Sequence, residues 1–293
     1  MLALVEAGAA AWDIARSLVR SAPSEAVCET ADCTLMAPLP RPTQIRDCLS
    51  FPGHVEGVSR AHYERVIAAS PQPENSPQPE KMRAELEAEG RFRVPPSFYE
   101  IPVYYLSNRM AVTGPDADVA WPLYSNSIDY EMEWAAVIGK ECRGATTDTA
   151  REHIFGYTVF NDWSARDEQM RVMTGAPINL GPGAGKDFCN SFGPCIVTPD
   201  EIPDPYDLEM IVRVNGEQVS RGSTASMHFT FEDQIESLSR AATLYPGEII
   251  GSGTVGGGCA FETGQVIASG DVIELEVEGI GVLRNCVIAQ HIK

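Results

Sequence analysis

Asp129-Tyr130-Glu131-Met132-Glu133-Trp134-Ala135-Ala136-Val137-Ile138 is the stretch on which the reading of this chain turns. Its β-branched and aromatic content predicts a strand, and side chains alternate faces along a strand. Glu131 and Glu133 therefore share a face, roughly 7 Å apart by strand rise. That face continues with Ala135 and Val137, and the other carries Met132, Trp134, Ala136 and Ile138. Both faces read as buried. Two like charges on a buried face are costly unless something positive stands between them, and a divalent cation supplies that charge.

The same chain contains a control. Glu274, Glu276 and Glu278 also alternate, but every residue opposite them is apolar. That pattern is a strand with one face in water, and it needs no ligand. A third carboxylate suited to join Glu131 and Glu133 is Asp162, which ends the run Gly156-Tyr157-Thr158-Val159-Phe160-Asn161-Asp162. Hard oxygen donors without His or Cys suit Mg²⁺, Mn²⁺ or Ca²⁺ rather than Zn²⁺.

The 293 residues are enough for one large domain and a smaller one. A formal net charge of -19 argues against nucleic-acid and membrane-surface partners, whose phosphates it repels. Eight cysteines are spread along the chain with no C-x-x-C pair, so neither a zinc ribbon nor a disulfide framework is expected. Reduced, mostly buried thiols in a cytoplasmic protein are expected instead. The N-terminal MLALVEAGAAAW lacks basic residues ahead of it and contains Glu6. With Val5, Trp12 and Val19 at heptad spacing, residues 1–22 read as an amphipathic helix packed on the body.

Residues 34–46 read as a short strand broken by prolines, and Asp47 to about Ala69 as helical. PQPENSPQPE at 71–80 reads as an exposed loop, and Glu80–Glu89 as a helix stopped by Gly90. Beyond residue 98 strands dominate: Glu131–Ile138, Gly156–Phe160, Glu209–Val214, Glu248–Ser252 and Val272–Val277. Two helices are expected among them, at Asp148–Phe155 and from Thr230, where Asp233 completes a capping box. The expectation is a β-rich α+β fold, with an N-terminal region at 1–98 and a catalytic domain at 99–293.

DYEME at 129–133, NDWSARDEQ at 161–169, GKDF at 185–188, GSGT at 251–254 and GIGVLRN at 279–285 occur in that order. Together they resemble the fumarylacetoacetate hydrolase superfamily over residues 100–288. The resemblance implies a rolled mixed β-sheet, an N-terminal lid, a homodimer and a role in aromatic catabolism. It also implies an active-site Mg²⁺ (or Mn²⁺ or Ca²⁺) on Glu131, Glu133 and Asp162, with Asp47 as a further ligand. Lys186 matches a lysine that contacts substrate oxygens. Arg166, Gln169, Thr254 and Tyr105 match residues that face the substrate.

Asp47-Cys-Leu-Ser-Phe-Pro-Gly-His54 reproduces the D-x6-H spacing in which, by the same resemblance, the histidine is the general base and a second carboxylate orients it. Glu262 matches that carboxylate, and Glu56 competes with it. Some decarboxylases of the superfamily carry a glutamate three residues after the lid histidine, where this chain has Gly57. The resemblance thus implies hydrolysis of a carbon–carbon bond in a β-diketo acid such as fumarylacetoacetate or an acylpyruvate. Oxaloacetate-type decarboxylation and keto–enol isomerisation or hydration are the alternatives. A non-catalytic metal-binding scaffold would not need His54 or Lys186. GPGAGKD at 181–187 fails the P-loop spacing, and GSGTVG at 251–256 lacks the βαβ setting of a dinucleotide site.

Overall fold

The computed structural model describes residues 1–70, 77–174 and 181–289. The fold is α+β, built on a curled, mixed seven-stranded sheet. Its strands lie in the order Tyr104–Ser107, Gln44–Cys48, Glu248–Gly251, Met132–Ile138, Ile154–Asp162, Asn190–Val197 and Val112–Thr113. A second sheet runs Glu217–Ser223, Glu209–Val214, Val272–Val277, Gly281–Ala289 and Asp118–Trp121.

Met132–Ile138 lies at the centre of the first sheet and is buried along its whole length. Met132, Trp134, Ala136 and Ile138 enter a large core that also takes Met210, Val212, Ile273 and Leu275 from the second sheet. Ala135 and Val137 point the other way, into a smaller cluster with Phe160, Phe192 and Ile249. Both faces of the strand are therefore covered, as its composition predicts. In Val272–Val277 burial alternates residue by residue, with Glu274 and Glu276 on the half-exposed face. The two glutamate patterns differ in the way the sequence separates them.

Several expected elements shift. The N-terminal helix is two helices, Leu2–Glu6 and Ala9–Arg20, broken at Gly8, where φ is 78°. Val5 is buried, but Val19 faces solvent, because the break resets the helical phase. The expected strand at 34–46 begins only at Gln44, beyond the prolines. The first long helix starts at Pro52, at its first turn, where a missing N–H costs nothing. Of the proline-rich loop, residues 71–76 lie outside the described residues. Its second half already belongs to the helix Gln78–Ala88, which tolerates Pro79 for the same reason.

The helix expected at Asp148–Phe155 is only Thr147–Ala150 plus a 3-10 turn, and Ile154 and Phe155 open the next strand. The capping box at Thr230 is present and starts Phe231–Ala241. Two helices were not expected, Arg166–Thr174 and the short Ala260–Thr263. All eight cysteines are free thiols, but only Cys48, Cys142, Cys189 and Cys259 are buried; Cys28, Cys33 and Cys195 are exposed. No helix among the described residues is long and apolar enough to cross a membrane.

Gln44–Cys48, from the N-terminal region, pairs in parallel with Glu248–Gly251 and antiparallel with Tyr104–Ser107. This insertion sets Asp47 opposite Gly251 and Tyr105, at the end of the sheet where Glu133 and Asp162 also lie.

Candidate active site

Asp47, Glu133 and Asp162 bring carboxylate oxygens within 4.8 Å of one another, and all three residues are buried. They come from three strands of one sheet. Close approach is permitted by Gly251, where a Cβ would collide with Asp47 Oδ1. Burial is the first cause that raises all three carboxyls above their usual range. Mutual repulsion adds to it: Asp162 acts on Asp47, Asp47 on Glu133, and Glu131 on Asp162. Asp47 Oδ1 and Asp162 Oδ1 are buried with no hydrogen-bond partner. Three crowded carboxylates with orphaned oxygens are a donor set that a hard divalent cation fits.

Glu131 lies just before the strand, bridged to Cys259, and is not one of the three. Its oxygens go to cations already in the chain. Lys186 Nζ contacts Glu131 Oε2 and Asp162 Oδ2, and Arg166 Nη1 lies 2.7 Å from Glu131 Oε1. Burial works to raise the Glu131 carboxyl, but Lys186 and Arg166 outweigh it and hold it well below the usual range. Burial likewise works against the Lys186 ammonium, and Asp162 and Glu131 reverse that and keep it protonated. Of the four carboxylates, Glu131 is thus neutralised by Lys186 and Arg166, Asp162 shares Lys186, and Asp47 and Glu133 have no ion-pair partner among the described residues.

His54 sits in the first turns of the Pro52–Ala69 helix and is buried. Its Nδ1 is 2.7 Å from Glu262 Oε2. Glu262 also accepts hydrogen bonds from Gly257 N at 2.9 Å and from the Cys259 thiol at 3.1 Å. With Glu262 ionised, the proton belongs on Nδ1, which leaves Nε2 as the acceptor. That nitrogen is 3.9 Å from Glu131 Oε1. Glu56 takes no part: it is exposed and paired with Arg60 on the outer face of the helix.

Gly57 explains how the pair fits. A Cβ there would collide with Glu262 Oε1 and stand 3.0 Å from its Cδ. The Glu262 carboxylate ends a flexible side chain and can swing aside, but doing so strains its hydrogen bond from Gly257 N and its contact with His54. Gly57→Ala should therefore fold with a stability loss of about 1–3 kcal/mol and lose about 10²-fold in turnover, the scale of a 1 Å misplacement of a reacting group. Steady-state kinetics beside a thermal melt checks this, and an unaltered kcat would show that the contact is immaterial.

The remaining candidates line the same cavity of about 480 Å³ together with the trio, Glu131, His54 and Lys186. Tyr105 Oη donates to Asp162 Oδ2 at 2.7 Å. Thr254 Oγ1 donates to Glu133 Oε1 at 3.3 Å, and Gly253 N to Glu133 Oε2 at 2.9 Å. Gln169 Oε1 accepts from Arg166 Nη1 at 2.8 Å. Each of these side chains also fixes a charged neighbour. Glu262 is not at the cavity wall and acts only through His54.

Sequence reasoning missed Asp129. It is buried and accepts from Arg166 Nε at 2.7 Å, Ala260 N at 2.8 Å and Phe261 N at 3.0 Å. One carboxylate thereby fixes Arg166 and the turn that carries Glu262. The signal was available, since alternation places Asp129 in phase with Glu131 and Glu133.

The chain resembles known proteins in sequence and in fold. The chain is 38% identical over 188 residues to the human protein "Oxaloacetate tautomerase FAHD2A, mitochondrial", covering 64% of this chain and 59% of that one. It is 36% identical over 186 residues to 2,4-didehydro-3-deoxy-L-rhamnonate hydrolase of Sphingomonas sp. (strain SKA58), covering 63% and 64%. The chain spans about six-tenths of the length of the first curated relatives it matches. Its fold matches the crystal structure of 5-carboxymethyl-2-hydroxymuconate delta-isomerase from Mycobacterium smegmatis with a TM-score of 0.64 and 27% identity, over 90% of this chain and 83% of that one. Proteins named as a hydrolase, a tautomerase and an isomerase are thus all similar to this chain. Residues 79–288, which hold every site residue named above except Asp47, His54 and Gly57, match the fumarylacetoacetate (FAA) hydrolase C-terminal family, and the chain belongs to that family.

Proposed function

We propose that the protein hydrolyses a carbon–carbon bond in a β-diketo acid, with His54 as general base. The observation that carries this reading is the 2.7 Å contact between His54 Nδ1 and the buried Glu262 carboxylate, beside a cavity lined by carboxylates. Asp47, Glu133 and Asp162 would hold Mg²⁺, or Mn²⁺ or Ca²⁺, with Glu131 as the fourth carboxylate of the set. When bound, the cation supplies Lewis-acid polarisation of the diketo oxygens.

The chain's own groups do the rest. His54 Nε2 takes a proton from water while Glu262 keeps the ring in place. The hydroxide oxygen bonds to the distal carbonyl carbon, and Lys186 and Arg166 offset the negative charge that develops there. The bond between that carbon and the next one breaks, its electron pair passes to the departing enolate, and protonated His54 returns the proton to carbon. One water is consumed, and two carboxylic acids leave.

A second reading is keto–enol tautomerisation, supported by the 38% identity to the human protein named as an oxaloacetate tautomerase. It uses the same base on a carbon-bound proton and needs no water. Fumarylacetoacetate, an acylpyruvate and oxaloacetate, each assayed with Mg²⁺ and after EDTA, separate the readings. Hydrolysis predicts Mg²⁺-dependent cleavage of a diketo acid. Accelerated ketonisation of enol-oxaloacetate with every diketo acid intact would establish the tautomerase, and CO₂ release the decarboxylase. Association as a homodimer belongs to the same proposal, supported by Tyr104 and Leu106, which stand exposed on the edge strand of the large sheet.

A further inference from the structure

Cys28 and Cys33 stand apart from the other cysteines. Cys48, Cys142, Cys189 and Cys259 are buried, and Cys286 is half-buried. Cys195 is exposed, but its Sγ reaches only the Ile280 carbonyl. Cys28 and Cys33 are both exposed, and their Sγ atoms lie 3.1 Å apart. Among the described residues they are the one pair of thiols in contact. Their C-x4-C spacing falls outside the C-x-x-C pattern that marks paired cysteines in a sequence, so the local backbone has to create the pair.

The backbone does so with one tight turn. Fully extended, the chain would part Cys28 from Cys33 by about 17 Å. Glu29 and Cys33 are extended, but the 3-10 turn Thr30–Asp32 folds the chain back between them. Asp32 N donates to Glu29 O at 3.0 Å, and Cys33 N to Thr30 O at 3.1 Å. Every hydrogen bond of residues 21–33 closes within residues 17–33. The sulfur pair is therefore the side-chain contact that spans this turn. None of residues 21–36 lines the active-site cavity, so the proposed reaction leaves both thiols unused.

Sulfurs already in contact need to approach by only about 1 Å more to reach bonding distance. We propose that Cys28 and Cys33 are a redox-active dithiol, which a low-molecular-weight disulfide converts by exchange into an intramolecular disulfide. The Cys28 sulfur beside it pushes the Cys33 thiol up, so Cys33 keeps its proton and Cys28 attacks first. The Cys28 thiolate bonds to one sulfur of the small disulfide, whose own S–S bond breaks and releases a thiolate. Cys33 passes its proton to that thiolate and attacks the Cys28 sulfur of the mixed disulfide. The Cys28–Cys33 bond forms and the second small thiolate leaves. The protein gives up two electrons and two protons, and the small disulfide becomes two thiols. Glu25, Glu29 and Asp32 are exposed in the same segment, and their charge disfavours an anionic oxidant over an uncharged one.

The test uses 2-hydroxyethyl disulfide, which is uncharged, on the reduced full-length protein. Intact mass should fall by two hydrogens, and a digest cut after Glu29 should leave its two pieces joined. Cys195 should carry at most a mercaptoethanol adduct, because it has no second thiol to expel it. Cys33→Ser should trap that adduct on Cys28, and dithiothreitol should reverse both products. Both side chains are exposed, so the serine variant should melt with the unaltered protein. Stable adducts on Cys28 and Cys33 in the unaltered protein overturn the proposal. So does modification of Cys195 while Cys28 and Cys33 stay reduced.

Discussion

His54→Ala should lower turnover of an acylpyruvate by about 10²- to 10⁴-fold, the usual contribution of a general base. Divalent-cation affinity should stay nearly unchanged, because His54 touches none of Asp47, Glu133 and Asp162. Its polar contacts are Glu262 on one side and, at 3.9 Å, Glu131 on the other. The variant should fold. Glu262 loses one of three partners but keeps Gly257 N and the Cys259 thiol, so no bare carboxylate is left. The expected cost is about 1–3 kcal/mol, that of a buried group losing one partner. Kinetics, a thermal melt and a cation titration on one preparation separate the outcomes. A folded variant with normal cation affinity and unaltered kcat would remove His54 from the reaction. The tautomerase reading predicts loss of activity on oxaloacetate in the same variant, so the substrate that responds also identifies the chemistry.

What could be read from the sequence follows from how far each signal reaches along the chain. Strand alternation works over a few residues. It recovers Met132–Ile138 with both faces buried, and it separates Glu131 and Glu133 from the half-exposed Glu274 and Glu276. It has no access to Asp47, which reaches Glu133 through parallel pairing of Gln44–Cys48 with Glu248–Gly251. Alternation could see two glutamates on one face, but not Lys186 and Arg166 arriving to neutralise one of them. Ordered motifs reach further: the family resemblance they carry groups Lys186 and Arg166 with the carboxylates and extends to His54 and Glu262. Local breaks were the least legible. The helix Arg166–Thr174 follows a strand directly with no glycine or proline to announce it, and Gly8 splits what reads as a single amphipathic helix.

Asp47→Asn sets stability against function. The substitution keeps shape and removes one charge from a buried trio, so relief of repulsion should make the cation-free protein more stable than the unaltered one at neutral pH. The sign follows from linkage. Carboxyls raised by burial and by each other bind protons more tightly folded than unfolded. The stability they contribute is complete below the ordinary carboxylate range, near pH 4, and is lost as pH rises through their elevated folded values. The asparagine side chain cannot ionise, so the share lost through Asp47 is no longer lost. Cation affinity moves oppositely and should fall by more than the roughly 10- to 100-fold that loss of a ligand's hydrogen-bond partner costs. Tyr105→Phe, which strips the hydrogen bond from Asp162 but spares every carboxylate, gives that smaller loss for comparison. Melting curves from pH 5 to pH 8, with and without Mg²⁺, read both effects. The unaltered protein should gain most from Mg²⁺ at the alkaline end, where protons no longer compete for the oxygens, and Asp47→Asn should gain little at any pH. An Asp47→Asn protein destabilised without Mg²⁺ yet still stabilised by it would mean that Asp47 is a structural acceptor, and that the cation sits elsewhere.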